Sequence, residues 1–180
     1  MNILITGGTG YLGSNLVSKL RKKHKIFILD KTSDKKKIKK IPKDCVFFSG
    51  PINKKNLNKI FKFYEIKLIL HFAGTIKQKK NKKFDYLKDL KSSVCLLEFT
   101  KKYKVKYFIF ASSCDVYGEK EKLKIKENAK CQPLSNYGKT KHAIENKITK
   151  YLDRSINKYL ILRIFNIIED RHYLKKKKIN

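Results

Sequence analysis

The sequence has no tryptophan, one methionine, three prolines and only 15 acidic residues among 180. Its four cysteines, Cys45, Cys95, Cys114 and Cys131, form no C-x-x-C pair, so their spacing suggests neither a zinc site nor a disulfide framework. A reduced, cytoplasmic setting is the default expectation. No apolar run approaches a membrane span, and the short one after Met1 breaks at Gly7 without the basic lead or the length of a signal peptide. No association with membranes is therefore expected. Arginine is also scarce: of 45 basic residues, 41 are lysine and 4 arginine. A surface that recognises phosphates or bases favours the bidentate fork of arginine. The formal charge of +30 thus reads as dispersed lysine on solvated faces. Non-specific polyanion binding follows from that charge whatever the fold, and a basic nucleic-acid-binding protein is the alternative that rests on charge alone.

Only eight glycines occur, and four of them fall at Gly7, Gly8, Gly10 and Gly13. They follow the apolar run Asn2 to Thr6 and precede a segment with helical periodicity, Tyr11 to Lys23. Glycine loses the most freedom on folding, so clustering it at a strand-to-helix junction needs a reason. The spacing serves a pyrophosphate: one glycine turns the chain, another lets backbone approach the phosphates, and the last lets helix pack on strand. Asp30 then stands about 20 residues on, closing the second apolar run, where a carboxylate binds the ribose hydroxyls of a dinucleotide. It would repel a 2′-phosphate, favouring NAD over NADP, although Lys31 and Lys35 to Lys37 offer positive charge at the same end. Ser14 lacks the preceding lysine of an ATP-type phosphate loop.

Apolar runs predict further strands at Lys25 to Leu29, Cys45 to Ser49, Lys67 to Phe72, Lys106 to Ala111 and Tyr159 to Ile164. Helices are expected near Lys54 to Phe63, Phe84 to Tyr103 and Asn136 to Leu152. This alternation predicts an α/β fold with a doubly wound, mostly parallel sheet covered on both faces, its ligand sites at the carboxyl ends of the strands. One Rossmann-like dinucleotide-binding domain over residues 1–174 is expected, followed by a basic tail, 175–180. The stretch from Asp30 to Lys43 reads as a basic surface loop with at most a poorly formed helix. That from Gly118 to Asn136 is long enough to suggest a functional loop. His71 reads as a strand-end residue satisfied by backbone.

Tyr137 and Lys141 form Y-x-x-x-K, on one helix face, where an ammonium can lower the pKa of a phenol. With 10 tyrosines and 41 lysines about two such pairs arise by chance, and Tyr173 with Lys177 is the other. Context favours the first, because "ASSCDVYG" puts Ser112 and Ser113 at a carboxyl edge before its helix.

Taken together, "ITGGTGYLGS", "LILHFAG", "YFIFASSCDVYGE", "SNYGKTKHAIE" and "LRIFN" resemble the NAD-dependent epimerase/dehydratase family of extended short-chain dehydrogenases/reductases. The resemblance implies epimerisation of a nucleotide sugar, UDP-glucose/UDP-galactose at C4, by transient hydride transfer to NAD. It assigns Ser113, Tyr137 and Lys141 to catalysis. It gives Gly7, Gly10, Tyr11, Leu12, Gly13, Asp30, Phe72, Ala73, Gly74, Tyr137 and Lys141 to the cofactor, and Ser113 with Asn166 to the substrate. Cysteine at position 114, where a dehydratase would carry an acid, favours epimerisation. Three stretches depart from the family pattern: Pro51, the segment Asp89-Leu90-Lys91-Ser92-Ser93, and Ile167. Family members continue into a substrate lobe that this chain is expected to lack. The alternatives are a catalytically impaired NAD-binding relative and one that needs a partner chain, and pairing of two copies through helices is a further expectation.

Overall fold

A computed structural model of the chain describes residues 1–75, 86–119, 124–152 and 157–167. Within these residues six strands form one parallel sheet: β1 (Asn2–Thr6), β2 (Lys25–Asp30), β3 (Val46–Ser49), β4 (Leu68–His71), β5 (Tyr107–Ser113) and β6 (Lys158–Ile164). Their order is β3-β2-β1-β4-β5-β6. β1 pairs with β2 on one side and β4 on the other, Ile5 lying opposite both Ile28 and Leu70. The direction of sheet growth reverses between them, which opens a crevice beyond the carboxyl ends of β1 and β4.

Among the described residues five helices connect the strands: α1 (Tyr11–Leu20), α2 (Lys35–Lys39), α3 (Lys54–Phe61), α4 (Tyr86–Lys102) and α5 (Asn136–Tyr151). Alternate residues of β1 and β2 face opposite layers. Leu4, Phe27 and Leu29 join α3, α4 and α5 in the larger core, while Ile3, Ile5, Ile26 and Ile28 pack with Leu16, Val17 and Leu20 of α1. Both faces of these strands are buried, which is why they read as unbroken apolar runs. β6 departs from that expectation. Tyr159 and Ile161 pack on the larger core, but Leu160 and Leu162 on its other face are exposed. Among the described residues, the helical members of the second core all come from α1, which lies over β1 and β2.

The basic stretch after Asp30 contains the short helix α2, whose amino end is closed by Asp34 accepting from the amides of Lys36 and Lys37. A 3₁₀ turn, Cys114–Tyr117, follows β5 directly and is capped by Ser113. The expected tail, 175–180, and the pair Tyr173 and Lys177 lie outside the described residues, as do 120–123 of the long loop. No helix among the described residues is long and apolar enough to cross a membrane.

Candidate functional site

The glycine loop is shaped by backbone crowding. Gly7 has φ +73°, and a Cβ there would lie 2.7 Å from the Ala73 nitrogen. Its amide donates to the Leu29 carbonyl, and its own carbonyl accepts from Gly10. A Cβ on Gly13 would meet the Gly7 oxygen at 2.3 Å, so α1 can rest on the loop only without a side chain there. The amino end of α1 consequently points into the crevice, where Tyr11, Leu12 and Gly13 line the wall and the helix dipole favours an anion.

Asp30, at the end of β2, is held before any ligand arrives. Its Oδ2 accepts from both the amide and the hydroxyl of Thr9, at 3.0 and 2.7 Å, and its Oδ1 from the Thr32 amide at 3.0 Å. Oδ1 keeps a further lone pair for an incoming hydroxyl. Thr9 was not among the residues expected from sequence. Asking which hydroxyl in the glycine loop reaches the end of β2 would have found it.

Around these groups lies a cavity of about 1000 Å³. Gly7, Gly10, Tyr11, Leu12, Gly13, Asp30, Phe72, Ala73, Gly74, Ser113, Tyr137 and Lys141 all line it. Asn166 does not: it is exposed, while its neighbours Phe165 and Ile167 reach the cavity wall. Lys37, at the end of the site where sequence placed positive charge, lines the cavity too, as do Asp89 and Pro51, two of the departures from the family pattern.

The second cluster owes its geometry to another glycine. A Cβ on Gly138 would come within 2.5 Å of the Asp115 carbonyl, so α5 can press against the 3₁₀ turn. Ser135 fixes that approach, accepting from the Gly138 amide and donating to Asp115 Oδ2. Tyr137 thereby comes up against Ser113, whose Oγ also accepts from the Asp115 amide at 3.2 Å.

Lys141 lies one turn further along α5, buried to 7% exposure. Its Nζ donates to the Ala111 carbonyl at 2.7 Å and sits 5.6 Å from the centre of the Tyr137 ring. Burial depresses its pKa to about 8, against the opposing pull of Asp89 and Glu145. The Tyr137 pKa is raised: burial dominates, the hydrogen bond with Ser113 works against it, and Asp115, Cys114 and Asp89 add to the rise. This overturns the expectation that Lys141 lowers the phenol's pKa. In this arrangement the ammonium is engaged with the Ala111 carbonyl, and burial of the phenol sets the direction.

His71 is also corrected. Its partners are hydroxyls: Nδ1 lies 2.7 Å from Thr6 Oγ1 and Nε2 lies 2.8 Å from Ser93 Oγ. Ser93 donates its own proton to the Asp89 carbonyl, so Nε2 carries the imidazole proton and Nδ1 accepts from Thr6. Burial, with Lys141 nearby, lowers the His71 pKa to about 3, and the ring is neutral. It serves as a strut joining β1, β4 and α4. Behind the site, Glu145 accepts from Ser112 and, through both oxygens, from Arg163. That pairing raises the pKa of Arg163.

With this geometry in view, residues 3–178 match the NAD dependent epimerase/dehydratase family. UDP-glucose 4-epimerase of Lactobacillus helveticus is 33% identical over 175 residues, which cover 93% of this chain and 52% of the relative. The structure of Thermus thermophilus UDP-glucose 4-epimerase complexed with NAD superposes with TM-score 0.80 at 28% identity, over 91% of this chain and 54% of that one. UDP-glucuronic acid 4-epimerase from Bacillus cereus, also complexed with NAD, gives TM-score 0.77 at 28% identity, over 92% and 57%. The chain spans about half the length of the curated relatives it matches.

Proposed function

The chain belongs to the NAD dependent epimerase/dehydratase family, and on that premise we propose that it binds NAD and epimerises a nucleotide sugar, UDP-glucose/UDP-galactose at C4. The observation that carries this reading is the meeting of Ser113, Tyr137 and Lys141 in one cavity with the Gly7 to Gly13 loop. The site suits the cofactor: side chains on Gly7 or Gly13 would collide with backbone, and Asp30 is already fixed with acceptor capacity to spare. Gly7, Gly10 and Gly13 would hold the pyrophosphate, Asp30 a ribose, and Lys141 the ribose nearer the reaction. The negative charge of Asp30 favours NAD over NADP.

When bound, the dinucleotide supplies reversible two-electron oxidation of the carbon that carries the sugar hydroxyl. The chain's residues manage the proton. Tyr137 takes it from the hydroxyl as general base and returns it, and Ser113 holds the reacting oxygen between them. Tyr137 in the free chain has a raised pKa, so its activation requires the Lys141 ammonium to turn from Ala111 toward the phenol and the ribose. Below about pH 8 that ammonium is charged and available.

A second reading, a chain that holds NAD without turning a sugar over by itself, is favoured by the position of Asn166, exposed and off the cavity wall. Measuring NAD binding by calorimetry and UDP-galactose conversion by chromatography on the same preparation separates the two. Conversion supports epimerisation, whereas bound NAD without conversion of UDP-galactose or UDP-glucuronic acid leaves the second reading. Failure to bind NAD refutes both.

A further inference from the structure

On the face of α5 that carries His142 and Glu145, three metal-binding side chains converge that belong to no part of the cavity. Cys131 Sγ, His142 Nδ1 and a Glu145 carboxylate oxygen all lie within 4.8 Å of one another. His142 and Glu145 are one helical turn apart, and the loop preceding α5 brings Cys131 over them. Spacing alone offers no warning of this, because ten residues separate the cysteine from the histidine.

Several features distinguish this cluster from an ordinary ion pair. His142 Nδ1 is buried and has no hydrogen-bond partner. It faces Glu145 Oε2 at 3.6 Å, too long for a hydrogen bond. Two ligands on one zinc ion, each about 2.1 Å from it at a tetrahedral to trigonal angle, stand about 3.5 Å apart. Glu145 is 3% exposed and already oriented: Oε1 accepts from Ser112 and Arg163, and Oε2 from Arg163 alone, which leaves Oε2 a lone pair toward His142. On the far side of the ring, the Asn146 amide lies 3.5 Å from Nε2. At that distance the amide nitrogen does not fix the ring's tautomer, and Nδ1 can present its lone pair to a cation.

We propose that Cys131, His142 and Glu145 form a binding site for a thiophilic divalent cation of the zinc class. One sulfur, one imidazole nitrogen and one carboxylate oxygen select against magnesium and calcium, which take oxygen ligands. On binding, the Cys131 thiol releases its proton to solvent and the thiolate bonds the metal. Thiolate and carboxylate together offset the ion, and the positive charge of Arg163 is already directed at Glu145, Tyr117 and the Glu127 carbonyl. Water takes the fourth position. The ion fastens the loop carrying Cys131 to α5, the helix that carries Tyr137 and Lys141.

The test is titration of the full, reduced chain with Co²⁺, followed by absorption, and then displacement by Zn²⁺ against a chelator. A saturable one-to-one site with a thiolate-to-cobalt charge-transfer band is expected, displaced by Zn²⁺ and unaffected by Mg²⁺. Cys131→Ser should abolish the band, and His142→Ala should weaken Zn²⁺ binding by about 10- to 100-fold. Cys45→Ser should leave both unchanged. Circular dichroism checks each fold, and His142, with 31% of its side chain exposed, carries the result if the cysteine variant does not fold. Parental Zn²⁺ affinity in either Cys131→Ser or His142→Ala overturns the proposal, as does equal displacement of Co²⁺ by Mg²⁺. Both readouts are independent of NAD and of epimerisation.

Discussion

Adding one methyl group at Gly13 and, separately, at Gly10 tests whether the glycine loop is shaped by packing, by a ligand, or by both. Gly13 lies inside α1, where alanine would ordinarily gain about 1 kcal/mol over glycine. The new Cβ would however stand 2.3 Å from the Gly7 oxygen, 2.7 Å from the Gly8 Cα and 3.0 Å from the Gly7 carbon. All three neighbours are backbone and none can rotate away, so α1 must lift from the loop by roughly an ångström. Overpacking of this kind costs about 3 kcal/mol at the upper end of its usual range. Subtracting the helical gain leaves about 2 kcal/mol, which in a chain of this size lowers Tm by roughly 4–8 °C.

Gly10 offers the contrast. It sits at φ −74°, ψ 174°, a conformation open to any residue, and its added Cβ would meet only the Gly7 oxygen, at 3.2 Å. Exchanging glycine for alanine as the helix cap costs on the order of 0.5–1 kcal/mol, at most half of the Gly13 penalty. Thermal denaturation should therefore separate the two variants clearly. Calorimetry with NAD should not: Gly10 lines the cavity, and a methyl group there intrudes where backbone must meet phosphate, so NAD binding should weaken at least about tenfold in both. A Gly13→Ala protein that melts with the parent refutes the packing argument. A Gly10→Ala protein that binds NAD like the parent refutes the cradle.

Asp30→Ala removes the acceptor shared by Thr9 and Thr32 and should weaken NAD retention about tenfold or more, while parental retention would count against the ribose assignment. Tyr137→Phe should abolish UDP-galactose conversion while NAD binding stays within about twofold, so conversion at the parental rate would remove Tyr137 from the chemistry. The His71 pKa falls from 6.5 unfolded to about 3 folded, so below pH 6.5 the unfolded chain binds a proton that the native chain refuses. Stability should drop by about 1.4 kcal/mol per pH unit between pH 6.5 and 3 relative to His71→Gln, measured by urea unfolding, and parallel pH curves would contradict it. For Lys141 the window lies between about pH 8 and 10.5, where only the unfolded chain keeps the proton. The parent should gain about 3 kcal/mol on Lys141→Met across it, and no relative gain would show that the ammonium is better solvated than its burial implies.

The strands were legible because burial on two faces leaves a run of apolar residues that resembles little else. β5 runs two residues past the expected Ala111 to Ser113 because the edge strand β6 continues to pair with it, Ser113 opposite Ile164. α1 ends at Leu20 and not Lys23, since the amides of Lys23 and His24 both turn back to the Leu20 carbonyl. The partners of His71 were beyond reach: Thr6 is 65 positions away and Ser93 is 22, on different elements. Spacing placed Lys141 on the same helix face as Tyr137, but a four-carbon stem can serve either the phenol or the Ala111 carbonyl, and only packing decides between them.

The positive charge divides along the same line. Among the described residues Lys141 is the one lysine that is buried, and it is in the cavity; the others remain in contact with solvent, as dispersed charge should be. The two described arginines behave differently. Arg21 makes two hydrogen bonds to Asp44, and Arg163 grips both oxygens of Glu145. Where a fixed planar fork is required the chain carries arginine, and where a charge need only be solvated it carries lysine. Polyanion attraction by such a surface should collapse with added salt, whereas the contacts of the glycine loop and Asp30 depend on directed hydrogen bonds inside a cavity and should persist.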